Sequence, residues 1–360
     1  MAGSEMVAQG GLKAVFSRLI AATGPIPIAH YMAESNARYY AARDPLGAGG
    51  DFVTAPEISQ MFGELIGLWL ADMWRRAGQP DGACYVELGP GRGTLAKDAL
   101  RAAGRAGLSP DVHFVETSPA LTELQRAAHP GAIWHHDLST LPDDRPLLIV
   151  ANEFLDALPV RQLVRTAQGW RERMVGLDGE ALVPVVGTRP MDAAVPASLL
   201  DTPDGAIIET SPAAAAVVQE AAARLATQGG AALFIDYGYH QPQLGSTLQA
   251  VRLHRKVDPF ACPGDADLTA LVDFAALVPV AEAQGARWLG TVEQGSWLRA
   301  LGIGARAKAL ARAAQHVAPA IHAAAARLTE REEMGALFKV MGLAAPGWPD
   351  GAGFARVSEA

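Results

Sequence analysis

The residues with the clearest chemical content run Tyr85-Val86-Glu87-Leu88-Gly89-Pro90-Gly91-Arg92-Gly93-Thr94-Leu95. An apolar run carries a carboxylate near its end, glycines follow at alternate positions, and a helix-compatible stretch begins. A strand that meets a tight turn and a helix N-terminus builds a nucleotide pocket in doubly wound α/β proteins. Dinucleotide binders use G-x-G-x-x-G, so that the helix N-terminus faces a pyrophosphate. Here Thr94 takes the sixth position and the last glycine, Gly93, falls one residue early. The resulting E-x-G-x-G-x-G suits S-adenosylmethionine, which has no phosphates. Gly89, Gly91 and Gly93 would let the backbone approach the cofactor, with Glu87 near its cationic methionine end.

Later apolar runs also end in polar groups. The run 112–115 leads to Glu116, whose carboxylate can accept both ribose hydroxyls. The run 132–135 leads to Asp137-Leu138, where Asp137 can read the adenine amino group while Leu138 packs on the ring. The run 147–151 ends in Asn152-Glu153-Phe154-Leu155-Asp156, and 231–235 ends in Asp236-Tyr237-Gly238. Glu153 and Asp156 form a carboxylate pair suited to the forked geometry of a guanidinium, and could take up a proton as an attacking nitrogen gains charge. Asp156 reads equally well as a turn cap. Asp236 and Tyr237 complete the expected acceptor site, although Tyr237 suits a structural role as well. Asn152 is expected to hold the backbone or the methionine moiety.

Beyond these tips, Gly50-Asp51-Phe52-Val53-Thr54-Ala55-Pro56-Glu57-Ile58-Ser59 and Asn152-Glu153-Phe154-Leu155-Asp156-Ala157-Leu158-Pro159 join the glycine motif as distinctive segments. So do Ile235-Asp236-Tyr237-Gly238-Tyr239, Ser246-Thr247-Leu248-Gln249-Ala250, Val257-Asp258-Pro259, Ala266-Asp267-Leu268-Thr269 and Met334-Gly335-Ala336-Leu337-Phe338-Lys339-Val340. Together they resemble the MidA family of S-adenosylmethionine-dependent methyltransferases, related to the mitochondrial complex I assembly methyltransferase. The resemblance spans nearly the whole chain. It implies protein arginine methylation during assembly of a respiratory complex, with a complex I subunit or related assembly partner as substrate. It also implies that the loop 51–57, including Thr54 and Glu57, closes over the cofactor. Leu271 stands where the resemblance leads one to expect a histidine.

Composition agrees with a globular enzyme. The chain has 360 residues, half of them hydrophobic, which suffices for an α/β core with additions. Its net charge of −8 argues against a generic nucleic-acid binder. No uninterrupted apolar run approaches the length of about 18 residues that a membrane helix needs. Cys84 and Cys262 are far apart and lack metal-ligand spacing, so no metal is expected. The segment 11–22 is read as a first helix rather than a targeting peptide, and a cytoplasmic location is expected. A homodimer is left open.

These features imply an α/β, Rossmann-like methyltransferase fold with a helical N-terminal layer (1–80), a β-meander insertion and a helical C-terminal region. The main domain would run 81–360, with insertions at about 160–210 and 240–330. Thr54-Ala55-Pro56-Glu57 has the form of a capping box, and apolar residues from Ile58 to Met73 recur at helical spacing. The stretches 160–166, 170–175 and 182–186 alternate as strands do. A surface loop is expected over 245–265, a helix over 268–284 capped by Asp267, and an alanine-rich helix over 304–328. Thr329-Glu330-Arg331-Glu332 suggests another capping box. His254 is placed beside a substrate entrance without a catalytic role. Functionally, a protein arginine methyltransferase leads, ahead of a small-molecule O- or N-methyltransferase and a non-catalytic S-adenosylmethionine-binding assembly factor.

Overall fold

A computed structural model describes residues 11–42 and 54–354. The segment Gly50-Asp51-Phe52-Val53, part of the family resemblance, lies outside the described residues. The chain divides into two compact units: Met1–Arg43, Ala157–Ala214 and Pro242–Leu271 form one, and Asp44–Asp156, Ala215–Gln241 and Val272–Ala360 form the other.

The second unit carries an eight-stranded mixed sheet. Its strand order is Arg287–Glu293, Phe338–Ala344, Gly230–Tyr239, Leu147–Asn152, Cys84–Leu88, Asp111–Val115 and Ile133–His135, with Val272–Asp273 paired off Gly230–Tyr239. The five strands from Gly230–Tyr239 to Ile133–His135 are parallel, and Phe338–Ala344 pairs antiparallel with both of its neighbours. Chain order reverses between Leu147–Asn152 and Cys84–Leu88, and such a reversal opens a crevice at the carboxyl ends of the strands. The strands Cys84–Leu88 and Leu147–Asn152 are buried at every position, as parallel strands covered on both faces must be. The fold is thus Rossmann-like, as the glycine motif implied.

Helices complete this unit. Ser59 N-caps Gln60–Arg76, its Oγ accepting from Met61 N at 3.2 Å, and Met61, Phe62, Leu65, Ile66, Trp69 and Met73 turn into the core. Glu64 on this helix is buried, yet it receives Arg101 and a forked pair of bonds from Arg306. Burial alone would raise its pKa; the two guanidiniums outweigh that and hold it below the ordinary carboxyl range.

The first unit contains the expected meander. Strands Arg161–Thr166, Gly169–Asp178 and Ala181–Pro190 follow one another in antiparallel pairing, with Ile26–Pro27 and Ile207–Thr210 extending the sheet. Helix Leu12–Thr23 matches the expected first helix and buries Leu12, Phe16 and Ile20. They share a core with Tyr31, Met32, Val175 and Leu268.

Several local expectations give way to tertiary structure. Thr54 precedes the short helix Ala55–Ile58 but makes no side-chain cap, and the long helix starts afresh at Ser59. Residues 267–269 form a strand against Gln249–Val251, and Leu268 is pinned by Asn36, so no helix can start there. Asp267 accepts from Tyr40 Oη at 2.7 Å, while Asp273 caps the helix Phe274–Ala283. The alanine-rich tract is two helices, Ile303–Ala313 and Ala318–Thr329, separated at Ala314. Thr329 Oγ1 turns back to Ala325 O instead of capping the next turn. The expected loop at 245–265 contains the hairpin Gln249–Arg252 and Arg255–Val257, with Leu253 and His254 at its exposed, left-handed tip.

Candidate active site

The glycine loop leaves the strand Cys84–Leu88 with left-handed backbone at Gly89, Gly91 and Gly93 (φ 62°, 55° and 77°). At two of these positions a side chain would collide as well as strain the backbone. A Cβ on Gly89 would lie 2.8 Å from the Phe154 ring, and one on Gly93 would lie 2.8 Å from the His129 ring. The first contact places the glycine loop directly against the segment that carries Glu153 and Asp156. Thr94 begins the following helix, Thr94–Arg105, and donates its hydroxyl to Glu57 Oε1 at 2.7 Å. This bond brings the expected cofactor residues Thr54 and Glu57 to the edge of the loop, because Thr54 immediately precedes the short helix Ala55–Ile58 that carries Glu57.

Glu87 points inward. Its Oε2 accepts from Tyr85 Oη at 2.6 Å, and it takes a further hydrogen bond from the Ala96 backbone in the first turn of the glycine-loop helix. Burial pushes its pKa up to about 8, against the pull of these donors. As arranged, Glu87 braces the loop from below.

At the next strand tip, Glu116 Oε1 accepts from the backbone N–H groups of Thr117 (2.9 Å) and Ser118 (2.8 Å). Its Oε2 accepts from Gln125 Nε2 at 3.0 Å, and burial raises its pKa. Gln125, on the helix Pro119–Ala128, also donates to Gly91 O at 2.8 Å and accepts from Trp134 Nε1 at 2.9 Å. No sequence signal marked Gln125: a lone polar residue on an amphipathic helix looks like a solvated one until its neighbours are known. Asp137 follows the third tip, where its Oδ1 accepts from Ser139 N and Oγ and starts the turn Leu138–Thr140. Asp137 is exposed and Leu138 is buried, the polar–apolar pairing that a purine edge and face require.

The fourth tip is built differently. Asn152 ends the strand, Glu153 has φ 51°, and its backbone N donates to Ile235 O. A left-handed non-glycine residue costs of order 1 kcal/mol or more and persists only where its surroundings impose it. The restraint is visible. Buried Asp236 accepts through Oδ2 from the N–H groups of Phe154 (3.1 Å), Leu155 (2.8 Å) and Asp156 (3.2 Å), and through Oδ1 from Tyr237 N (2.8 Å). Burial, and then the Glu153 charge, push the Asp236 pKa up to about 8; the N–H donors oppose that rise. Glu153 Oε1 accepts from Ala55 N and Asn152 Nδ2, both at 3.1 Å. Asn152 Oδ1 is buried with no hydrogen-bond partner. Tyr237 stacks on Phe338 with ring centres 4.0 Å apart. Burial and the charges of Glu153, Asp156 and Asp236 keep its hydroxyl protonated far above neutral pH. The four residues expected at the acceptor site are therefore gathered together, with Asp236 committed to the backbone of the others.

An adenosyl cofactor with a cationic amino-acid tail fits this arrangement. The buried Asn152 carbonyl oxygen calls for an N–H donor, the glycine loop admits close approach, and carboxylates end the neighbouring strands. The fold and its strand tips define a nucleoside-binding, Rossmann-like transferase architecture. Residues 65–292 match a family described as "Putative S-adenosyl-L-methionine-dependent methyltransferase", and the chain belongs to that family. It is 38% identical over 337 residues to the protein arginine methyltransferase NDUFAF7, mitochondrial, of Danio rerio, covering 83% of this chain and 78% of that protein. To the Homo sapiens protein of the same name it is 36% identical over 329 residues, covering 81% and 73%. A solved structure from Burkholderia thailandensis bound to S-adenosyl-homocysteine superposes with a TM-score of 0.84 at 31% identity, covering 96% of this chain and 94% of that one. The protein is accordingly an S-adenosylmethionine-dependent methyltransferase, in line with the MidA resemblance. Among the described residues no group of three or more histidines, cysteines or acids is placed to hold a metal, and no helix is long and apolar enough to cross a membrane.

Proposed function

We propose that this methyltransferase acts on an arginine side-chain nitrogen of a protein. One observation carries the reading: Glu153 and Asp156 sit on a strained loop that touches the glycine loop through Phe154 and is clamped by Asp236. When bound, S-adenosylmethionine supplies an electrophilic methyl group. The chain's own residues then have three tasks. Gly89, Gly91, Gly93, Glu116, Asp137, Leu138 and Asn152 hold the cofactor, with Thr54 and Glu57 at its edge and Glu87 bracing the loop. Glu153 and Asp156 hold the guanidinium by charge-assisted bonds and stabilise the charge that builds on its nitrogen, and Tyr237 offers a neutral O–H beside them. Asp236 keeps that geometry fixed, which is the main contribution a transferase can make to an already activated donor.

The name of the relatives, protein arginine methyltransferase, supports the same acceptor. A complex I subunit or its assembly partner as substrate belongs to the proposal on the strength of the family resemblance, and a cytoplasmic location on that of the sequence reading; the named relatives are themselves mitochondrial. Incubation with methyl-labelled S-adenosylmethionine and a lysate of the source organism, followed by acid hydrolysis, tests the reading. Label recovered as methylarginine from protein supports it. Label confined to small metabolites, or absent despite cofactor binding, overturns it.

A further inference from the structure

The geometry points to Gln125 as a positioning residue that makes Glu116 read a single ribose hydroxyl, through Oε2. The inference rests on the reading of Glu116 as the ribose acid and narrows it.

Gln125 is fully buried, so its amide has no recourse to water. Its Nε2 uses one N–H on Gly91 O (2.8 Å) and the other on Glu116 Oε2 (3.0 Å), while Oε1 accepts from Trp134 Nε1 (2.9 Å). The amide cannot be reversed. Turned over, it would face its oxygen to a carbonyl and a carboxylate, and its N–H groups to an indole N–H. The orientation is thus set by the three partners, and it links the glycine loop, the second strand tip and the third strand.

The consequence falls on Glu116. A carboxylate offers about four lone-pair sites, two on each oxygen. Oε1 is filled by Thr117 N and Ser118 N, and one site of Oε2 is filled by Gln125. One strong acceptor site remains, on Oε2, and the Gln125 bond fixes where it points. The sequence alone suggested that Glu116 accepts both hydroxyls of the diol; the arrangement in the fold has room for one.

Calorimetric titration with S-adenosyl-homocysteine and with its 2′-deoxy and 3′-deoxy analogues tests this. The wild-type protein should lose about tenfold or more in affinity for one analogue and little for the other, because a hydrogen bond to a charged group is among the stronger ones. Gln125→Met fills the same space without donors. It should weaken S-adenosyl-homocysteine by about tenfold and bring the two analogues to nearly equal affinity. A folded but ligand-free state is checked by circular dichroism.

Gln125→Glu is the second variant, of nearly unchanged volume. Its introduced carboxyl opposes Glu116 at pH 8, so binding should be weak there and should recover towards pH 6 as the two acids share a proton. If Gln125→Met keeps the wild-type ratio between analogues, Gln125 only packs and the inference fails. If the wild-type protein penalises both analogues equally, Glu116 reads both hydroxyls: the ribose reading stands and the inference fails. If neither analogue is penalised and Glu116→Gln binds S-adenosyl-homocysteine as the wild type does, the ribose reading itself falls and takes the inference with it.

Discussion

The strand tips at Glu116 and Asp137, proposed to hold the cofactor, and the tip at Glu153, proposed to hold the acceptor, meet similar demands by different means. At Glu116 and Asp137 the backbone relaxes into ordinary turns, and the carboxylates are satisfied by N–H and O–H groups close by in sequence. At Glu153 the backbone is left-handed, an adjacent carbonyl oxygen is orphaned, and the restraint comes from Asp236 on another strand, more than eighty residues away. A site that binds one constant ligand can be built locally. The tip proposed to present acids to a side chain of another molecule is instead held by a distant clamp.

This contrast can be broken most severely at the clamp. Asp236→Ala leaves the N–H groups of Phe154, Leu155, Asp156 and Tyr237 without their acceptor. It should destabilise the protein by about 3–5 kcal/mol in denaturant unfolding, because several buried N–H groups lose their acceptor at about 1–3 kcal/mol each, and abolish methyl transfer.

Next comes Glu153→Gln, which keeps an oxygen for Ala55 N but removes the charge. Turnover should fall by about 10²- to 10³-fold, while the dissociation constant of S-adenosyl-homocysteine stays within about twofold. Equal loss of both would mean that the fourth tip is part of the cofactor site and not a separate acceptor.

Gly89→Ala strikes both regions at once, since its Cβ meets the Phe154 ring at 2.8 Å and its φ is 62°. Cofactor affinity and turnover should decline together, with a stability loss of about 1–2 kcal/mol; a change in affinity alone would show that the two loops yield independently.

The smallest effect is electrostatic. Glu87, with a pKa of about 8 in the fold against about 4.3 for a free side chain, keeps a proton that the unfolded chain has already released. Its share of stability is therefore complete below about pH 4 and is lost as pH rises through about 8. Glu87→Gln should make stability less dependent on pH across that window, by about 1 kcal/mol or more between pH 5 and pH 8. Thermal melts at the two pH values measure this, and an unchanged difference would place the titration elsewhere.

The sequence was most readable where chemistry is local. The glycine spacing, the acids at the strand tips and the meander all follow from short-range pattern, because period, turn residues and strand ends are encoded within a few positions. Capping signals were less dependable. Thr54, Asp267 and Thr329 each had the right neighbours for a cap, yet Thr54 makes no side-chain cap, Asp267 receives Tyr40 Oη, and Thr329 Oγ1 turns back into its own helix. Gln125 and the clamp formed by Asp236 could not be seen at all, since their meaning lies in groups brought together from separate strands and helices. The break at Ala314 carries one local signal, Pro319 in the first turn of the second helix.

The strand Phe338–Ala344 follows every other strand of the sheet in the chain, yet it takes a place between Arg287–Glu293 and Gly230–Tyr239. A ribosome making this protein therefore exposes a row of open backbone groups along Gly230–Tyr239 until its last strand emerges. That nascent edge invites a chaperone, and a message cut short before codon 338 would yield a chain prone to pair with its own kind.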